Sequence, residues 1–274
     1  MSATMTTTTT ATATSRLPYL AVESPILARK GAYILRRMLP RDVIPYERIM
    51  DAAFADSMNT MFYPTGKTPA DDAYNHEMLI KHMTRDAHYM TYLAVIDTST
   101  APPDSDLQKM TPDDRAAAKA EGRMAGHSAW KIHPRDRDQA ELDAIAADAE
   151  RDGYPPSSHR TLLDDFYAAL GDAKKRYLGR KAHVLLHLLA TDPDYHRRGI
   201  GGMQIKWGLE ETDRLGVMSY LEASEEGKAL YERYGFRQVE KLDFDCTKHI
   251  GGEEVIHTIM IRPAKIESAA LLQM

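Results

Sequence analysis

Two hydrophobic periods alternate along this chain, and each change of period marks the boundary of a predicted element. Short apolar or alternating runs between turn residues predict β-strands, whereas apolar residues at every third or fourth position predict amphipathic helices. The strand pattern occurs at residues 31–38, 90–97, 122–133, 184–190, 217–222, 237–245 and 254–261. The helix pattern occurs at residues 42–56, 71–86 and 200–216, and in the segment that follows Ser224. This order predicts a mixed α/β domain.

Local signals fix several element ends. Asp42 follows Pro40-Arg41 and is placed to cap the first helix, and Gly216 is placed to end the helix that begins near residue 200. Gly251-Gly252 lies between the last two strands and predicts that they form a hairpin.

Two longer segments interrupt this order and are interpreted as inserts. The first, at about 98–121, is rich in Pro, Asp, Lys and Ala and is expected to loop out, with a short helix near 111–121. The second, at about 134–180, has two stretches of helix-forming composition that are separated by Gly153-Tyr154-Pro155-Pro156.

The most informative stretch is residues 184–216, which reads as a strand, a glycine turn and a helix. The amide groups that open a helix are unpaired and lie at the positive end of its dipole, so they can bind an anion. The glycines of the turn permit close approach of a phosphate, and Arg197 and Arg198 add positive charge. Packing alone also explains such turns. The turn lacks the Lys-Ser/Thr of a P-loop, and Gln204 breaks the dinucleotide-binding pattern G-x-G-x-x-G.

This stretch resembles motif A of the GNAT superfamily of acetyl-CoA-dependent N-acetyltransferases. That motif reads Gln/Arg-x-x-Gly-x-Gly/Ala after a strand end of the form Leu-x-Val-x-Pro. The corresponding residues are Leu189-Ala190-Thr191-Asp192-Pro193 and His196-Arg197-Arg198-Gly199-Ile200-Gly201, where Thr191 replaces the valine and His196 replaces Gln/Arg. The closing helix of the family, Ala/Gly-x-x-Leu-Tyr-x-x-x-Gly-Phe, is matched by Gly227, Leu230, Tyr231, Gly235 and Phe236. The two motifs together cover about the last third of the chain.

The resemblance implies the fold and the co-substrate. The fold is a central mixed, mostly antiparallel sheet that splays between the family's strands 4 and 5 and is flanked by helices. The co-substrate is acetyl-CoA, held largely by backbone amides. The residues implied in its binding are Leu189, Ala190, Thr191, His196, Arg197, Arg198, Gly199, Ile200, Gly201, Gly202, Ser224, Lys228 and Tyr231.

Acetyl transfer to an amine needs a general acid for the leaving thiolate and a base for the ammonium group. Tyr231 takes the place of the family's acid, and a phenol of pKa about 10 suits a thiolate of pKa about 8.5; the alternative is that it only packs. His187 occupies a position that resembles that of a histidine used by arylalkylamine N-acetyltransferases, and Glu222 is a second candidate that also suits ammonium binding. His183 lies further from the expected cleft. A strand histidine that is simply hydrogen-bonded in the core is the alternative for both histidines.

The acceptor site is less defined. In the family, the region around Phe62 and Tyr63 forms one wall of the acceptor pocket, and Trp130 and Glu222 are further candidates to line it. Anchoring of a loop on the core is an equal interpretation for the two aromatic residues. The insert at 134–180 is expected either to cover the acceptor side and shape substrate choice or to be a plain surface elaboration.

Composition narrows the function classes. The 274 residues are 43% hydrophobic, which suffices for a proper core, and the net charge of −5 argues against general nucleic-acid binding. The one cysteine fits a reducing, cytoplasmic setting, and no apolar run is long enough for a membrane span. The histidines have neither cysteine partners nor HExxH spacing, so no metal is expected.

Residues 1–17 are expected to be a disordered tail, with a transit peptide as the alternative; 18–265 form the domain and 266–274 a second tail.

These observations favour an N-acetyltransferase that acts on a primary amine of a small molecule, as a monomer or a homodimer. Two alternatives stay open at this point. The acceptor is a protein or peptide amine, or the chain is a catalytically silent acyl-CoA-binding module.

Overall fold

A single eight-stranded sheet runs through the residues that the computed structural model describes, which are 24–85, 90–252 and 254–265. Its strands are β1 (Ile26–Lys30), β2 (Tyr33–Arg37), β3 (Met90–Asp97), β4 (Arg123–His133), β5 (His183–Thr191), β6 (Met218–Ser224), β7 (Arg237–Lys241) and β8 (His257–Arg262). Their order across the sheet is β1-β2-β3-β4-β5-β6-β8-β7. The predicted tails 1–17 and 266–274 lie outside the described residues.

Helices occupy the connections. They are α1 (Val43–Ala53), α2 (Met58–Phe62), α3 (Pro69–Arg85), α4 (Asp104–Lys109), α5 (Pro112–Glu121), α6 (Gln139–Asp152), α7 (Arg160–Tyr177), α8 (Ile200–Leu215), α9 (Glu225–Glu232) and α10 (Thr247–Ile250). The predicted helices of both inserts are present. Within the described part of the chain, no helix combines the length and apolar character that crossing a membrane requires.

The predicted fold class is confirmed. β5 and β6 are parallel and every other pair of neighbouring strands in the described sheet is antiparallel. The family's strands 4 and 5 correspond to β5 and β6 here, because β1 and β2 form a hairpin where the sequence predicted one strand.

Three local predictions were wrong in detail. Asp42 occupies the predicted N-cap position of α1, but its side chain makes no capping bond to that helix; it accepts a hydrogen bond from Leu39 N at 2.6 Å and pairs with Arg36. Residues 58–69 contain the short helix α2 as well as a turn. The last two strands pair, but the link between β7 and β8 is long and contains α10, so Gly251-Gly252 is not a tight hairpin turn.

Helices cover both faces of the sheet. On one face, here the α8 face, α8 and α9 pack with Leu35, Val95, Trp130, Leu186 and Met260. On the other, here the α7 face, α1 and α3 pack over the half that contains β2 to β4, and α2 and α7 pack over β5, β6 and β8. The sheet is therefore enclosed on both sides around the parallel pair.

Helix α7 belongs to the second insert but is part of the core. Leu162 and Ala173 are fully buried, and this side of the helix packs against Leu185, Tyr220 and Ile259 of the sheet. A purely superficial insert is therefore excluded. Deletion of residues 136–177 would uncover a buried cluster, so such a deletion tests folding rather than acceptor preference.

Candidate active site

The parallel strands β5 and β6 separate halfway along their length. Residues His183–Leu186 pair with Met218–Leu221, but β5 continues to Thr191 and β6 to Ser224 without pairing to each other. In this region β5 stays paired with β4 on its other side, and β6 stays paired with β8. The sheet therefore has an opening at its centre, and the backbone groups of residues 187–191 on the side of β6 are available to a ligand.

His187 lies at the start of this opening, on a β-bulge. Leu188 pairs with Ala129 and Leu186 pairs with Trp130, so His187 is an extra residue in β5. Bulges occur next to active sites because they redirect a side chain. The predicted position of His187 beside the cleft is therefore produced by two irregularities, the bulge towards β4 and the loss of pairing to β6.

The surroundings of His187 keep its imidazole neutral. Its side chain reaches solvent, but the protein around it displaces most of its water, which lowers the pKa of His187 well below its ordinary value. The positive charges of Lys131 and Lys174, and then His82, lower this pKa further. A neutral imidazole that reaches solvent can accept a proton at neutral pH.

Glu222 lies on the opposite rim of the opening, one residue beyond the last pair between β5 and β6. Its Oε1 is 3.4 Å from Lys174 Nζ of α7. The Tyr220 hydroxyl lies nearby, and burial followed by the charge of Glu222 raises the pKa of Tyr220. His187 and Glu222 thus each lie one residue beyond the last pair of β5 and β6, and Lys174 of the insert pairs with Glu222 and acts electrostatically on His187.

The glycine turn has the backbone that an anion-binding site requires. Gly199 has φ +86° and begins α8, and Arg197 has φ +62°, which is unusual for a residue other than glycine. The first intrahelical bond runs from Met203 N to Gly199 O at 3.1 Å, so the preceding amides of α8 have no partner inside the helix. His196, Arg197 and Arg198 are exposed around them. The turn is open to solvent at the point where an anion would bind.

Two neighbours of this turn were not found from the sequence. A Cβ placed on Gly199 would lie 2.5 Å from Lys30 Nζ, so the lysine that ends β1 extends over the turn and adds a third cation to it. Gly202 similarly leaves room for the hydroxyl of Tyr234. Lys30 and Gly199 are far apart in the sequence, and β1 itself was not predicted.

The closing motif packs directly beside the glycine turn. A Cβ on Gly201 would lie 3.0 Å from Leu230 Cδ2, which places α9 against the first turn of α8. Tyr231 is 8% exposed, its ring packs on Phe236 at 6.1 Å, and burial raises the pKa of Tyr231 to about 12. Its phenol is therefore protonated at neutral pH and can act as a donor.

The other implied coenzyme ligands lie on β5, in the turn that follows it, and at the start of α9. Leu189 is half-buried on the α8 face, and His196 donates through Nε2 to the Thr191 carbonyl at 3.3 Å. Ser224 occupies the N-cap position of α9 without a side-chain capping bond, and Lys228 pairs with Glu225 at 3.3 Å.

Trp130 does not line the acceptor side. It is fully buried on the α8 face, on the other side of the sheet from His187, and its Nε1 donates to Ser128 Oγ at 3.2 Å. This burial speaks against the predicted role of Trp130 in substrate binding, because β4 alternates regularly here and turns Ala129, not Trp130, towards the α7 face.

Phe62 and Tyr63 have structural contacts on the α7 face. Phe62 packs on Phe166 of α7 at 5.7 Å. Tyr63 is 8% exposed, and its hydroxyl accepts a hydrogen bond from Asn75 Nδ2 at 3.1 Å. These contacts fit the alternative that both residues anchor a loop on the core, and a role in binding the acceptor stays a prediction.

The insert makes contacts that the sequence did not suggest. Tyr154 and Tyr167 stack at 5.8 Å with an interplanar angle of 7°. Asp152, at the end of α6, pairs with Lys81 and His82 of α3. The insert is thereby attached to α3, and together they form a wall over the α7 face of the sheet.

No family model and no curated protein matches this sequence. Three solved structures illustrate what the fold is similar to. The apo form of an agmatine N-acetyltransferase mutant matches with a TM-score of 0.55 at 13% identity, over 85% of this chain and 100% of that chain. Mosquito arylalkylamine N-acetyltransferase like 5b matches with a TM-score of 0.51 at 15% identity, over 84% and 99%.

The third similar structure is a histone acetyltransferase and related acetyltransferase from Corynebacterium glutamicum. It matches with a TM-score of 0.50 at 15% identity, over 85% of this chain and 97% of that chain. At such identities the similarity concerns the fold. The chain has the fold of the GNAT acetyltransferases.

Proposed function

We propose that this protein is an N-acetyltransferase that transfers the acetyl group of acetyl-CoA to a primary amine of a small molecule, by direct attack in a ternary complex. One observation carries the proposal. The glycine turn before α8 follows β5, the helix α9 that carries Tyr231 follows β6 and packs beside that turn, and His187 and Glu222 lie where β5 and β6 part. Chemistry of this kind needs these three parts within one site.

The turn fits the diphosphate of coenzyme A in shape and charge. The opening amides of α8 point outward, no Cβ blocks the approach at Gly199, and cations are supplied by Arg197, Arg198 and Lys30. The free backbone edge at 189–191 suits the pantetheine arm and the acetyl carbonyl. Acetyl-CoA supplies the activated acyl group, and this part of the chain binds and orients it.

Two side chains move the protons. His187 accepts the proton that the acceptor ammonium loses, directly or through a water molecule, and the amine nitrogen then forms its bond to the acetyl carbon as the carbon–sulfur bond breaks. Tyr231 donates its phenolic proton to the departing sulfur. Because the pKa of Tyr231 is raised to about 12, the phenol is fully protonated before transfer.

A small acceptor is supported by the walls of the cleft. The attachment of α6 to α3 and the packing of α7 cover much of the α7 face around His187. A folded protein would need a more open surface at this point.

Tyr231→Phe should lower kcat by roughly 100-fold while the Kd for acetyl-CoA changes little, because only the proton donor is removed. Steady-state kinetics and a calorimetric titration measure the two quantities. Tyr177→Phe is the control, since it removes a hydroxyl at the end of α7, away from the glycine turn and the opening, and should keep kcat. Equal turnover in wild type and Tyr231→Phe would remove this residue from the mechanism.

The pH dependence of kcat/KM should identify the base. Because the pKa of His187 is depressed, the imidazole stays unprotonated as the pH falls through 6.5, so the wild-type rate should decline only at lower pH. His187→Gln should lower kcat/KM by roughly 100-fold or more and remove that acidic limb. A variant Glu222→Gln that loses the limb, with His187→Gln retaining it, would reverse the assignment.

The proposal as a whole is tested by binding and by thiol release. Titration of the purified protein with coenzyme A should give heat and a thermal shift, and free thiol should appear when acetyl-CoA is combined with a panel of small amines. No heat and no shift would overturn the proposal. Thiol release only with peptides would show that the acceptor is a protein or peptide amine. Binding of coenzyme A without any thiol release would indicate a catalytically silent acyl-CoA-binding module.

A further inference from the structure

Lys174 and Glu222 form a loose ion pair at the rim of the opening. Lys174 Nζ and Glu222 Oε1 are 3.4 Å apart, whereas a well-formed ammonium–carboxylate bond is about 2.7–2.9 Å long. Glu222 Oε1 makes no hydrogen bond within the described part of the chain, although the Glu222 side chain is only 10% exposed. The Lys174 side chain is 31% exposed. A ligand can therefore enter between the two charges without breaking a strong bond.

The position of the pair makes it part of the entry to the reaction site. Glu222 stands where β6 leaves β5, on the α7 face, and Lys174 reaches it from α7. Lys174 is also one of the charges that lower the pKa of His187 on the opposite rim. These side chains are therefore placed to contact an amine that reaches the opening from the α7 face.

The other charged residues near the opening do not favour an acceptor that carries a second positive group. Lys131 lies on β4 next to the opening, and together with Lys174 it acts on His187. Asp152, a carboxylate of the insert on this side, is already paired with Lys81 and His82. A diamine would therefore bring its second ammonium group towards Lys174, whereas a carboxylate would be attracted there.

A free α-amino acid matches this arrangement. Its ammonium and carboxylate groups sit on one carbon, so they can replace the Lys174–Glu222 pair with two shorter pairs, ammonium to Glu222 and carboxylate to Lys174. The nitrogen is then held at the opening, opposite His187. We infer that the acceptor is a free α-amino acid and that Lys174 of the insert is the residue that selects its carboxylate. This inference rests on the proposed function.

The experiment compares amino acids with the same molecules lacking the carboxylate charge. The pairs are arginine with agmatine and phenylalanine with phenethylamine, and argininamide retains the α-carbon substituent as an uncharged amide. The readout is kcat/KM from free thiol release. Wild type should favour each amino acid by roughly 10- to 100-fold, as expected for one charge-assisted contact. Argininamide should behave like agmatine.

Lys174→Met and Lys174→Gln should reduce that preference to less than about threefold by slowing the amino acids, while the rate with the plain amines is retained or increased. Lys175→Met is the matched control, because Lys175 is the exposed neighbour on the same helix and should leave the preference unchanged. Melting temperatures confirm that each variant is folded.

The outcomes separate the inference from the proposed function. Thiol release with plain amines or diamines at rates equal to or above those with amino acids, or a preference that survives in both Lys174 variants, would overturn the inference and leave the acetyltransferase in place. Absence of thiol release with every acceptor, argininamide and peptides included, would overturn both.

Discussion

Gly208→Ala should lower the free energy of unfolding by roughly 2–3 kcal/mol, a typical cost of overpacking a core. Gly208 lies in the middle of α8, and a Cβ at this position would overlap three ring carbons of Trp130. The indole cannot move away easily, because it is fully buried and packs edge-on against Trp207 at 6.4 Å. Urea unfolding of the two proteins measures the difference.

Gly171→Ala provides a matched control for the same substitution. Gly171 also lies inside a helix, α7, but a Cβ there would contact nothing within 4 Å. Alanine is the better helix former by about 1 kcal/mol, so this variant should be more stable than wild type. If the two variants shift stability in the same direction, helix propensity rather than the contact with Trp130 determines the outcome at Gly208.

A second substitution isolates the contact itself. Trp130→Phe removes part of the indole and should be destabilising alone, but it should recover part of the loss when combined with Gly208→Ala. The coupling energy from this double-mutant cycle should be favourable by about 1 kcal/mol or more, since the two residues touch. Additive effects would contradict the proposed overlap.

The central strand, turn and helix were predictable because their signals are local. The apolar run of β5, the glycines of the turn and the C-cap at Gly216 act on neighbouring residues, and the structure reproduces each of them. The closing motif behaves in the same way. The spatial contact between Leu230 and Gly201, by contrast, follows only once both helices are folded onto the sheet.

Trp130 shows what the hydrophobic pattern does not determine. Most residues of β4 are buried on both faces, so its alternation does not reveal which residues face the acceptor side. The bulge at His187 shifts the register between β4 and β5 by one residue. In β5 this extra residue exchanges the faces of the residues that follow it. No sequence signal marked the bulge.

The charges that define the candidate site come from distant segments. Lys30 reaches the glycine turn from a strand whose sequence, ILARK, is short and carries two charges, so its strand pattern is weak. Lys174 reaches Glu222 from an insert whose helical composition said nothing about which side of the sheet it would cover. Such contacts require the tertiary fold, whereas the identity of His187 and Tyr231 as candidates required only their motifs.

The protein should lose stability steeply between pH 6.5 and pH 5. Burial lowers the pKa of four histidines in the core: to about 3 for His127 and His133, to about 4 for His183, and below the ordinary value for His257. The unfolded chain titrates near pKa 6.5, so it binds more protons than the folded chain in this range, and acid favours unfolding. Each such histidine removes about 1.4 kcal/mol per pH unit once the pH is below 6.

His127, His133 and His183 together therefore act with a slope of roughly 4 kcal/mol per pH unit, against a total stability of about 5–15 kcal/mol for a typical domain, and His257 acts in the same direction. Urea unfolding curves at pH 7.5, 6.5, 5.5 and 5.0 measure this slope. His127→Phe is the most direct variant, since both ring nitrogens of His127 lack a hydrogen-bond partner in the described residues and its ring packs at a tilt against Tyr46, with the ring centroids 4.0 Å apart. Its stability relative to wild type should increase as the pH falls. His76→Gln, at an exposed position, serves as the control and should keep the wild-type slope.

The pH range distinguishes histidines from carboxylates as the cause. Asp97, Asp192 and Asp213 have lowered pKa values in the folded protein, because hydrogen bonds and nearby arginines or lysines stabilise their charged forms. Their contribution is complete above the unfolded pKa of about 4 and is lost only as the pH falls below it. A loss that begins near pH 6.5 must therefore come from the buried histidines. If the stability instead stays constant down to pH 5, these imidazoles must take up protons in the folded protein. That result would contradict the conclusion that burial keeps His127 and His183 neutral.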